Sequence, residues 1–113
     1  MPKSSEIKIK VTLDDNRVPE KIEWQATESG LNEVYEAKSF LLSLWDKKEN
    51  ATMGIDLWTK EMLIDDMNIH FHQVFLKLAD TYKRATKNNE VADMIEKFSA
   101  EFADKLELNK KNN

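Results

Sequence analysis

Two histidines, His70 and His72, stand two positions apart in the stretch NIHFHQVF. On a strand this spacing sets both rings on one side, where they can hold a metal. On a helix two residues subtend about 200° and the rings diverge. Residues 65–86 carry a helical pattern, so the pair is poorly placed for chelation and no metal site is expected. Two carboxylate doublets, Asp14-Asp15 and Asp65-Asp66, have the residue type for general acid–base work. Their settings, a turn and a helix start, give them ordinary duties as turn formers and caps. Lys83, Arg84 and Lys87 cluster late in the same helix, where cations offset the negative end of the dipole. No glycine-rich phosphate loop, nucleophile elbow or H-E-x-x-H run occurs. No catalytic residue and no cofactor is expected.

The three tryptophans carry more information. Trp24 shares the parity of Ile22 and Ala26, which predicts a core side chain. Trp45 and Trp58 break the parity of their own strands. Strands alternate their side chains between two faces. If Phe40, Leu42, Leu44, Ile55 and Leu57 face the core, then Leu41, Trp45, Asp56 and Trp58 lie on the opposite side. The polar residues Lys8, Lys10, Glu23 and Gln25 are expected to join them there. Indoles set among polar groups have the composition of a protein-contact surface, and tryptophan often dominates binding energy. A β-bulge near Gly54 would shift the register and bury Trp58 instead.

Elements must hold these residues in place. The sequence EIKIKVTL alternates apolar and polar residues, as a half-buried antiparallel strand does. DDNR follows as a turn. VPEKIEWQA reads as a second strand with Pro19 at its start or on an edge. TESGLNE is a loop in which Gly30 is free to take a positive φ. Residues 38–47 read as a third strand, joined by the loop DKKENA to a fourth in TMGIDLWT. Helix one, over 65–86, is expected to be capped by Asp65 or Asp66. Its apolar stripe is Met67, Phe71, Val74, Phe75, Leu78 and Tyr82. Helix two, capped by Asn88 or Asn89, carries Val91, Met94, Ile95, Phe98, Phe102 and Leu106.

The expected fold is α+β: a four-stranded antiparallel sheet followed by two C-terminal helices packed on one face, a two-layer sandwich. Residues 1–5 are expected to form a flexible arm, 6–106 a single domain and 107–113 a flexible tail.

Bulk properties narrow the function. The chain has 113 residues, 41% hydrophobic and 34% charged, with a net charge of −4, which argues against a nucleic-acid partner. The absence of cysteine removes disulfides and thiol chemistry and fits a reducing compartment. No apolar leader and no run near the roughly 20 residues of a membrane span is visible, so a cytoplasmic location without membrane insertion is expected.

SEIKIKVTLDDNRVPEKIEWQA, LSLWDKKENATMGIDLWTKEM, FHQVF and FADKLEL together resemble the gliding-motility protein GldC family, over about residues 4–108. The first two blocks are the specific ones. The resemblance implies a small accessory protein of bacterial gliding motility with no known enzymatic activity; contact with a protein of the gliding machinery is its expected way of acting. It brings no catalytic residues, so the contact surface of Leu41, Trp45, Asp56 and Trp58 rests on strand parity. Two other functions stay open. One is a holdase-like chaperone for an exported motility component, best served by a homo-oligomer. The other is a small-ligand carrier with a pocket lined by Trp24, Phe71 and Phe75.

Overall fold

The structure, a computed structural model, describes residues 3–27 and 33–108. The expected loop glycine, Gly30, lies outside the described residues, as do residues 1–2 of the arm and 109–113 of the tail. Five strands precede two helices: β1 (Ile7–Leu13), β2 (Pro19–Ala26), β3 (Tyr35–Ala37), β4 (Ser39–Trp45), β5 (Thr52–Trp58), α1 (Ile64–Thr86) and α2 (Asn89–Lys105). The chain divides into two compact units, 1–62 with all the strands and 63–113 with both helices.

The strands form two small antiparallel sheets, β1-β2-β3 and β4-β5. This corrects the expected single four-stranded sheet. The reason sits at Lys38. Upstream of it the chain pairs with β2, Trp24 lying opposite Tyr35 and Ile22 opposite Ala37. Downstream it pairs with β5. The Lys38 carbonyl itself accepts the Thr59 N–H at 2.8 Å. One extended stretch thus changes partners midway, which splits the ladder in two.

Local chemistry explains the turns. Asp14 Oδ1 accepts the backbone N–H groups of Asn16 (2.8 Å) and Val18 (2.9 Å), closing the β1–β2 turn in which Arg17 takes a φ of 64°. Asp46 Oδ2 does the same for Lys48 (3.1 Å) and Glu49 (2.7 Å), and Asn50 adopts a φ of 51° in the β4–β5 loop. Pro19 opens β2, where its missing N–H is no loss.

In the three-stranded sheet Ile22 is fully buried. Trp24, expected in the core, is half-buried and lies against Tyr35 with ring centroids 5.6 Å apart. The alternation of β1 is as read, but Ile7, Ile9 and Leu13 remain exposed, so its apolar face is not a closed core. On the polar face Lys21 reaches Glu23 (3.8 Å) and Glu36 (3.4 Å).

Small residues are the buried ones of the helical unit. Ala79 of α1 and Ala92, Ser99 and Ala103 of α2 are buried. Phe75 packs edge-on to Phe98 and Phe102, with centroids 5.2 and 5.1 Å away. Leu78, Met94 and Phe98, read as parts of the buried stripes, are more than half exposed. Asn88 caps α2, its side chain accepting the Val91 N–H at 3.1 Å. The cap expected for α1 is corrected. Its N-cap is Leu63 without a side-chain bond, and Asp65 and Asp66 lie inside the first turn. There their charge still complements the helix dipole. Lys87 in the left-handed region ends α1, its N–H bonding the Lys83 carbonyl.

Candidate contact surface

The β4–β5 ribbon is bent back by the Asp46 turn, and its register runs without a shift from Ser39↔Trp58 to Trp45↔Thr52. No bulge intervenes at Gly54. Residues directly opposite in an antiparallel pair share a face. Ser39, Leu41, Ser43 and Trp45 therefore share one face with Thr52, Gly54, Asp56 and Trp58. Phe40, Leu42, Leu44, Met53, Ile55 and Leu57 take the other.

The four candidate residues thus stand on one side of one ribbon, but not in one cluster. Leu41 lies opposite Asp56, with Trp58 diagonally next to it. Trp45 stands at the far end, opposite Thr52. The two indoles are six residues apart along the ribbon, roughly 20 Å at about 3.4 Å per residue. Trp45 is 68% exposed and Trp58 55% exposed. Between them stand two pairs, Leu41 with Asp56 on the Trp58 side and the small residues Ser43 and Gly54 on the Trp45 side. The polar residues expected to frame the indoles, Lys8, Lys10, Glu23 and Gln25, belong to the other sheet, β1-β2-β3.

The opposite face of the ribbon departs from expectation. Leu44, Met53 and Ile55 are each more than half exposed. Apolar side chains therefore stand open on both sides of β4–β5. Contiguous exposed apolar surface of this kind marks contact sites.

Elsewhere the titratable groups have structural settings. His70 and His72 sit on α1, where the helical turn directs their rings apart. Among the described residues no group of three His, Cys, Asp or Glu side chains could hold a metal. Arg84 bonds Asp80 at 3.0 Å and also donates to Thr81. Phe71 and Phe75 pack with each other inside the helical unit, centroids 6.1 Å apart.

One pairing gave no signal in the sequence. Lys60, just after β5, forms an ion pair with Asp14 of the β1–β2 turn. The Lys60 ammonium, with the Val18 N–H behind it, holds the Asp14 carboxyl below the usual range. The same bond raises Lys60 above its ordinary value. The partners are far apart in the chain, and no periodicity links them.

A family model described as "Gliding motility-associated protein GldC-like" matches residues 19–108, from the start of β2 to the turn after α2. Searches of curated proteins and of solved structures found no match.

Proposed function

The chain belongs to the GldC-like gliding motility-associated family, and from that premise we propose that it is a non-enzymatic accessory protein of bacterial gliding, acting by protein–protein contact. Leu41, Trp45, Asp56 and Trp58 are the proposed docking face for a protein of the gliding machinery. The observation that supports this most is the pair of exposed indoles on one unbroken ribbon face. Aromatic anchors at both ends of a face that also carries Leu41 and the lone carboxylate of Asp56 suit a protein partner. No described helix is long and apolar enough to cross a membrane. We put the contact on the cytoplasmic side, with which a cysteine-free chain is compatible.

The test is complementation in a gliding bacterium that carries this gene, with Trp45→Ala and Trp58→Ala. Recovery of a defined motility protein by the parent chain, and its loss together with gliding in the variants at equal abundance, is the expected result. Normal gliding and normal recovery by the double variant would overturn the assignment.

The open apolar residues Leu44, Met53 and Ile55 favour a second function, a holdase for an exported motility component. Such a protein suppresses aggregation of an unfolded client at near-stoichiometric ratio. Failure to do so removes this alternative.

A further inference from the structure

We infer that two copies of this chain pair edge to edge through β5, forming a continuous four-stranded sheet β4-β5-β5-β4. Among the described residues β5 forms a ladder with β4 alone; β2 comes close to it without pairing, so the backbone groups on its other side have no strand partner. Two bonds fix which backbone groups point where. The Asp46 N–H bonds the Ala51 carbonyl (2.9 Å), and the Thr59 N–H bonds the Lys38 carbonyl (2.8 Å). The register between them is continuous. Hydrogen-bonded and non-bonded pairs alternate in an antiparallel ladder. Met53, Ile55 and Leu57 therefore exchange bonds with β4. Thr52, Gly54, Asp56 and Trp58 aim their N–H and C=O groups outward.

A row of unpaired backbone groups is a template for another strand, and proteins usually guard such edges with lysine or proline. β1 carries Lys8 and Lys10, whereas β5, TMGIDLW, has neither lysine nor proline and a single charge, Asp56.

The sequence of β5 suits a second copy of itself. A twofold axis through Ile55 sets Thr52 opposite Trp58 of the second copy and Gly54 opposite Asp56. Every outward backbone group of one strand then meets an outward group of the other. The lone carboxylate faces the lone glycine and not its own like charge. Moving the axis to Asp56 would bring the two carboxylates together, and moving it to Gly54 would shorten the paired stretch. On the other face Ile55 meets its own counterpart and Met53 meets Leu57. The exposed apolar residues of two ribbons thereby become one stripe. A two-stranded ribbon is marginal by itself in water, and added strands with a shared apolar face stabilise it. This pairing goes beyond the proposed partner contact and does not require it.

The experiment uses the full chain, which has no cysteine of its own. In the proposed register Ile55 is a non-bonded self-pair with Cα atoms about 4.5 Å apart, within the span a disulfide bridges. Asp56 is offset diagonally from its counterpart by about 7–8 Å, beyond easy bridging. Under mild oxidation Ile55→Cys should cross-link at least tenfold faster than Asp56→Cys. Sedimentation of the parent should report twice the chain mass. Asp56→Pro removes an outward N–H while sparing every bond to β4, and should shift the protein to monomer. A parent that stays monomeric from micromolar to millimolar concentration, or equal cross-linking of the two cysteines, would overturn the pairing.

Discussion

Asp14 and Lys60 join the first turn of the chain to the segment that follows its last strand. The Asp14 carboxylate is shared between that ion pair and two backbone N–H groups of its own turn. Its pKa is depressed, so its contribution to stability is fully present above the ordinary carboxylate value of about 3.9 and is lost as pH falls through the lower folded value. Lys60 is raised, so its contribution is present below about 10.4 and fades as pH rises through the folded value. Melting temperature followed against pH should show a steeper acid limb in the parent than in Asp14→Asn. Lys60→Met should lose the late alkaline slope and part of the extra acid slope, the remainder being held by the Val18 and Asn16 N–H groups. Superimposable profiles would mean that the pair contributes nothing. Lys60 is partly exposed, so added salt should narrow the differences.

Gly54 stands where a side chain would be tight. A Cβ built there would stand 3.0 Å from the Leu42 carbonyl oxygen, a backbone atom with little room to move. Crowding of this kind costs roughly 1–3 kcal/mol, partly offset by about 0.4–1 kcal/mol from a stiffer unfolded chain. Gly54→Ala should lose about 1 kcal/mol net by urea titration. A gain in stability would show that β4 yields easily at this point.

Ile22 is 1% exposed and is the largest fully buried apolar side chain of the three-stranded sheet. Ile22→Val should cost about 0.5–1.5 kcal/mol and Ile22→Ala about 2–5 kcal/mol. Equal midpoints for the two variants would imply a site that collapses around the lost methyl groups.

Ala92, Ser99 and Ala103 are buried in the helical unit. Enlarging one of them has no space to fill. Ala103→Leu should destabilise by about 1–3 kcal/mol despite its higher hydrophobicity. A rise in the denaturation midpoint would argue against close packing there.

The indoles should behave in the opposite way. Trp45→Ala and Trp58→Ala remove more surface than any change above, yet both rings are more than half exposed. Their effect should stay near the 0.5 kcal/mol typical of surface positions, far from the roughly 3–5 kcal/mol lost when a core aromatic is cut to alanine. Calorimetry decides, and a core-sized loss would mean that the rings are covered in solution.

Several of these positions are legible in the sequence alone. The alternation in IKIKVTL and TMGIDLW is local, and so is the assignment of Trp58 to the face of Asp56. Residue type narrows the cap of α2 to Asn88 or Asn89, and the structure chooses Asn88. Other features could not be read. Asp65 and Asp66 have capping chemistry, but the helix begins one residue earlier, at Ile64, and leaves them inside the first turn. Leu78 and Met94 satisfy helical spacing, but burial went to alanine and serine. Spacing reports which residues share a stripe, whereas close approach of two helices selects the smallest side chains on it.

The sequence by itself determined four of the five strands and both helices in their order, the α+β class, the family resemblance and the alternation of side chains along the ribbon. These depend on repeats of two and 3.6 residues and on turn residues that bond their own backbone. The sequence missed β3 and left a bulge at Gly54 open. Only the tertiary structure decided that residues 35–45 change partners at Lys38, that apolar side chains lie open on both faces of β4–β5, and that Asp14 meets Lys60. Each of those depends on which distant backbone or side chain supplies the partner, and chain-local chemistry leaves that choice free.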